Sequence, residues 1–121
     1  SATFYAVRSL DAAKELGRQD YISASFLALA KQYMTSGMSY DALATLNRVD
    51  RSALSEKSRE ELYLFYMSIY ESLDGLSIDQ SLKQYYSSKA SVYKDSIARA
   101  VFQRLLPRFI IYNILCSCQY V

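Results

Sequence analysis

The chain has 121 residues, 51% of them hydrophobic, and sets 14 basic against 12 acidic side chains for a net charge of +2. That length suits one domain with a buried core, and that charge is too small to direct binding to nucleic acid or an anionic surface. The absence of histidine excludes Ser-His-Asp and Cys-His catalysis, histidine-ligated zinc or haem, and the ordinary pH switch, so no cofactor or metal is expected.

Three Gly and one Pro are few for a fold built on tight turns, and the apolar residues recur at helical spacing. Tyr5, Ala6, Leu10, Ala13 and Leu16 predict a first helix, ended by Gly17 in a left-handed cap. Asp20 is placed to cap a second, carrying Phe26, Leu29, Ala30 and Tyr33 and stopped by Gly37. A third follows over about 40–48, with Ala42, Leu43, Leu46 and then Val49, and 50–55 reads as a loop. Ser58-Arg59-Glu60-Glu61 has the form of a capping box, with Ser55 as a competing start for a Tyr-rich helix that Gly75 stops. Ser77-Ile78-Asp79-Gln80 is a second such box, opening a long helix that reaches the Leu105 region. All connections are short, so neighbouring helices are expected to run antiparallel.

Pro107 is expected to break or kink the last helix, dividing a body over 1–106 from an apolar helix or tail over 107–121 packed on it. Arg99, Arg104 and Arg108 follow Asp95, the last acid, so this end is basic as well as apolar and could join a second copy of the chain. Cys116 and Cys118 are too few for a structural zinc site and poorly spaced to bridge each other; they read as packing residues. No secretory signal is visible, and no run approaches the roughly 20 apolar residues of a spanning helix. The chain reads as an excised piece of something longer or a mature form whose leader is gone.

Self-similarity turns "helical" into "repeat". Leu29, Ala30, Tyr33, Gly37, Ala42, Leu46 and Val49 have the spacing of the tetratricopeptide (TPR) pattern: a Leu–small pair and a Tyr on helix A, a Gly at the turn, a small and two apolar residues on helix B. Ala6, Leu10 and Ala13 repeat the spacing of Ala42, Leu46 and Val49, displaced by 36 positions. The first helix therefore resembles helix B of a unit whose helix A is absent, and the last two helices a third, longer unit. The usual Trp and closing Pro are missing. The expected fold is all-α, a right-handed stack of antiparallel hairpins with five or six helices.

The phrases Ser9-Leu10-Asp11-Ala12-Ala13-Lys14-Glu15-Leu16-Gly17, Ala42-Leu43-Ala44-Thr45-Leu46-Asn47-Arg48-Val49-Asp50 and Tyr93-Lys94-Asp95-Ser96 resemble uncharacterised membrane-bound regulators of Bacteroidetes. The repeat pattern covers roughly 3–97, and the resemblance to these regulators stops by Val101. It implies a TPR-like sensing region in the periplasm, ahead of a membrane helix and a cytoplasmic signalling or DNA-binding part, without activity of its own. The alternative is a cytoplasmic scaffold or chaperone-adaptor repeat.

In either case the partner is a protein or peptide, received on the concave face made by A helices. Lys31, Gln32 and Ser36 of the second helix and Tyr63, Tyr66 and Tyr70 of the fourth are the candidate contacts, although the Tyr cluster also suits packing between repeats. Tyr85 and Tyr86 with Lys83 and Lys89 fit the solvated edge of the long helix. Glu60 and Glu61 fit the first turn of a helix, where the macrodipole stabilises carboxylates, better than acid–base chemistry. No phosphate loop or Cys-x-x-Cys motif is present, so the reading is not an enzyme.

Overall fold

A computed structural model describes residues 1–118 and holds five α-helices: α1 (Ala2–Leu16), α2 (Gln19–Thr35), α3 (Ser39–Leu46), α4 (Glu56–Leu76) and α5 (Gln80–Cys118). One 3-10 turn, Arg51–Ala53, interrupts the loop before α4, and no strand occurs among the described residues.

The helix ends follow from local hydrogen-bonding chemistry. Gly17 and Gly37 sit at φ 66° and 74°, the left-handed region that closes a helix, as their positions in the sequence predict. No atom approaches within 4 Å of a Cβ built on Gly37. Gly37→Ala therefore costs backbone strain alone, about 1 kcal/mol, measurable by urea denaturation; a change near zero would show that the turn relaxes. Asp20 does not cap α2 as expected. Arg18 holds the cap position, and Asp20 lies in the first turn, accepting from the Arg18 guanidinium at 2.7 and 3.0 Å. That hydrogen bond holds the Asp20 carboxyl below the usual range.

Of the two competing starts for α4, Ser55 wins: its hydroxyl accepts from the Ser58 N–H at 3.2 Å. Gly75 does not stop α4. It stays within the last helical turn, and the chain leaves the helix at Ser77, whose N–H donates to the Leu73 and Asp74 carbonyls. Ser77 is thereby committed to α4, its hydroxyl donating to the Leu73 carbonyl at 2.8 Å. Asp79 caps α5 in its place, accepting from the Leu82 N–H at 3.1 Å.

Successive helices pack side by side, and α2 also reaches α4 across α3. The α4–α5 pair runs antiparallel: Lys83 lies beside Asp74, Tyr86 beside Tyr70, and Arg104 beside Glu60. The core lies where α2, α3 and α4 meet. Ala30 and Ala42 are 0% exposed and Leu46 1%, so the small positions of the repeat pattern bring helices together as that pattern requires. Leu27, Leu54, Leu62, Phe65, Ile69 and Leu73 belong to the same cluster, which continues through Tyr66 and Tyr70 to Tyr86 and Ala90 of α5. A second cluster, Leu10, Phe26 and Leu29 with Ala6, Tyr33 and Val49 packed on it, joins α1 to the stack, and Ala13 is buried beside it. Arg48 covers the Phe26 ring at 4.5 Å. Ser23 is buried but satisfied, accepting from the Asp50 N–H at 3.1 Å and tying α2 to the loop after α3.

α5 departs from expectation at its far end. The helix does not break at Pro107, and the following segment does not pack back on the body; 39 residues run as one helix, about 58 Å at the usual rise. Pro107 removes one N–H and leaves the Gln103 carbonyl without its helical partner, but this turn is exposed and water can satisfy it. The Arg104–Glu60 pair lies near the start of α4, so α5 beyond it extends free of the body as an arm. Phe109, Ile110, Ile111, Tyr112, Ile114 and Leu115 are all exposed along it. The accessible surface, 8358 Å², exceeds the roughly 6,600 Å² of a compact protein of 13.8 kDa, as a free helix requires. Cys116 is half-buried, and the Cys118 side chain lies outside the described residues.

Candidate interaction surface

Five tyrosines fill the seam between α4 and α5. Tyr63, Tyr66 and Tyr70 recur at three and four residues on α4, while Tyr86 and Tyr93 stand seven apart on α5. Tyr93 stacks on Tyr66 with ring centroids 4.6 Å apart and planes 11° from parallel, and lies 6.1 Å from both Tyr70 and Tyr63. Such pairs contribute beyond the area they bury, by about 0.5–1.5 kcal/mol each. The Tyr66 hydroxyl donates to Asn47 Oδ1 at 2.7 Å, fastening the seam to the end of α3.

Burial pushes the Tyr66 phenol up to about 12, helped by Tyr93 and opposed by Arg51. Burial also raises Tyr70, and the neighbouring Tyr40 hydroxyl raises Tyr86 ahead of burial itself.

Tyr66 and Tyr70 are 5% and 7% exposed, because α5 supplies tyrosines that cover them, the packing between repeats that their spacing also suits. Tyr86 is likewise buried and not at a solvated edge, whereas Tyr85 is exposed, with Lys89 over its ring at 5.7 Å. Lys31 and Ser36 are exposed and Gln32 is half-buried, but none of the three joins the tyrosines. Of the three α4 tyrosines, Tyr63 keeps a partly exposed ring, with the Arg51 guanidinium 5.5 Å above it.

Tyr63 forms one wall of a polar groove. Glu56, Arg59, Glu60 and Tyr63 line it from α4, and Ser96, Arg99, Ala100 and Gln103 from α5. Both sets follow the same i, i+3, i+4, i+7 spacing of a single helix face. Arg104 donates through Nη1 to both Glu60 oxygens, at 2.5 and 2.7 Å, and Glu60 raises the Arg104 pKa in turn. Sequence reasoning assigned Glu60 to the helix start and missed this groove. The signal was present in the spacing of each helix, but nothing in either spacing gives the register between them. Mixed charge, one aromatic wall and free access to water suit non-covalent recognition of a polar chain.

A family model described as the SusR N-terminal TPR domain matches residues 1–113. The chain belongs to that family. None of the curated proteins and none of the solved structures compared with it gives a match. The SusR TPR domain match runs past Val101, where the resemblance read from sequence stops, and so takes in the polar groove and the base of the arm. TPR-type stacks are typically protein-binding and non-catalytic, and this SusR TPR domain has their five antiparallel helices. Among its described residues no helix is long and apolar enough to cross a membrane, and no three or more His, Cys, Asp or Glu groups gather as a metal site.

Proposed function

We propose that this SusR TPR domain is the input part of a membrane-bound regulator. It binds a protein or peptide on the periplasmic side and has no catalytic step of its own. The family match over 1–113, which spans the α4–α5 groove, is the observation that carries the reading. Within the groove Glu60 is held by Arg104, so Arg59 and Arg99 face Glu56 in excess. The groove therefore favours an acidic segment, with Ser96 and Gln103 to hydrogen-bond its backbone and Tyr63 to flank it. Lys31, Gln32 and Ser36 form a second contact surface on α2, outside this groove. Each exposed ion pair contributes about 1 kcal/mol or less, so binding is weak for a single groove and falls with salt.

Calorimetric titration with acidic, neutral and basic peptides of about a dozen residues tests the groove. The acidic set is expected to bind, more weakly at high salt, and Arg99→Glu to cost about tenfold in affinity, the equivalent of about 1.4 kcal/mol. The groove assignment fails if no set binds or if Arg99→Glu leaves binding unchanged.

A further inference from the structure

The polar groove between α4 and α5 does not end at Tyr63. On α5, Tyr85, Lys89, Val92, Ser96, Arg99 and Gln103 step by four and three residues, which keeps them within about 40° of one line down the helix. Ser96, Arg99 and Gln103 line the groove, so Val92, Lys89 and Tyr85 continue it toward the α4–α5 turn. Val92 and Tyr85 are exposed, and the Lys89 ammonium lies over the Tyr85 ring. Three contacts set the opposite edge of this strip. The Arg51 guanidinium covers Tyr63, Asn47 accepts from the Tyr66 hydroxyl, and the Tyr40 hydroxyl lies beside that of Tyr86. α3 and the turn after it therefore run alongside α5, with the tyrosine seam between them. The strip lies inside the stack, so its exposure does not depend on what adjoins either end of the chain.

Its charges gather at two places. At the groove, Arg99 stands across from Arg59, with Arg51 close by over Tyr63. Glu60 is held by Arg104, which leaves Glu56 as the groove's remaining carboxylate. Asp95 precedes Arg99 by one turn, but it is nine residues from Arg104, half a turn round α5 and so on the flank away from α4. The second place is Lys89. The residues one turn from it are Tyr85, Tyr86, Val92 and Tyr93, none of them acidic, and it makes no ion pair among the described residues. On α3, Asp41 is turned about 100° from Tyr40, off the edge that carries Tyr40 and Asn47. Lys89 and Arg99 are ten residues apart, about 15 Å along the helix.

We propose that this strip selects an extended segment with the pattern acidic–x–apolar–x–acidic, its two carboxylates meeting Lys89 and the Arg59–Arg99 pair. The inference rests on the groove reading above and gives that acidic partner a sequence. In an extended chain residues i, i+2 and i+4 share a face, and the outer two lie about 13 Å apart, which the reach of their side chains brings to the cation spacing. The middle side chain then meets exposed Val92. An extended backbone also keeps N–H and C=O groups free for Ser96 and Gln103, whereas a helical segment has already paired its own.

Calorimetric titration of the whole chain with peptides of about a dozen residues tests the inference. Each carries two glutamates, set two, four or six residues apart in otherwise the same composition, with leucine midway in the four-residue case. That peptide is expected to bind about three- to fivefold more tightly than the other two, and to lose a similar factor when its leucine becomes serine. Lys89→Gln is expected to abolish the preference; circular dichroism checks its fold, and Lys89→Met replaces it if helix is lost. Equal affinity at all three spacings, or a preference that survives Lys89→Gln, overturns the strip; the groove reading stands if Arg99→Glu still weakens every peptide. Absence of binding by any peptide defeats both. A single-stranded oligonucleotide of similar length that binds more tightly than the peptides overturns the inference in favour of nucleic acid.

Discussion

Leu62→Ala is expected to remove about 3 kcal/mol of folding stability, within the range seen for buried leucines truncated to alanine. Leu62 is 1% exposed and belongs to the cluster shared by α2, α3, α4 and the loop residue Leu54. Ala30 and Ala42 of the same cluster are fully buried and too small to fill the space, so the lost side chain leaves a hole and not a collapse. A domain of this size is stable by about 5–15 kcal/mol, so one substitution takes a large share. Urea denaturation followed by circular dichroism gives the value, with Leu64→Ala, 46% exposed on the same helix, as the control. A Leu62→Ala loss no larger than that of the control would place the shared core elsewhere.

The second large effect is alkaline. Tyr66 titrates near 12 in the folded domain against 10.0 for an unperturbed tyrosine. Below pH 10 both folded and unfolded states keep the proton, and stability does not depend on this group. Between pH 10 and 12 the unfolded chain releases it first, so stability falls as pH rises. At 1.36 kcal/mol per pKa unit, Tyr66 alone removes about 2–3 kcal/mol over that window, and Tyr70 and Tyr86 act in the same direction. Tyr66→Phe should cost about 1 kcal/mol at neutral pH through the lost Asn47 hydrogen bond, yet show a shallower alkaline decline. Denaturation at about pH 9 and 11.5, with tyrosinate absorbance recorded alongside, separates the two contributions. Equal declines in wild type and Tyr66→Phe would show that the buried phenol is not their source.

The repeat could be read from sequence because it rests on local rules. A small residue at Ala30 or Ala42 and a glycine at Gly17 or Gly37 each meet a steric demand within one hairpin, and all four occupy the predicted roles. Gly75 was misleading because a glycine permits a helix end without imposing one, and Ser77 set the boundary. The tyrosines were ambiguous for a different reason. Tyr is equally suited to a wet surface and a half-dry seam, and what decided between them was the register of α5, which sets Tyr93 against Tyr66. That register is a tertiary fact. The groove containing Arg99 and Glu60 depends on it too, which is why neither its walls nor its closing ion pair could be found in either helix alone.

The uninterrupted length of α5 makes it a lever. Its first half is bound to α4 by the tyrosine seam, and Glu60 grips it at Arg104, which serves as the fulcrum. Beyond that point about 21 Å of helix runs free, so a tilt of about 10° at the hairpin carries the tip by about 4 Å. A helix broken at Pro107 would absorb that rotation at the break. An unbroken helix of that length would carry the rotation to its tip.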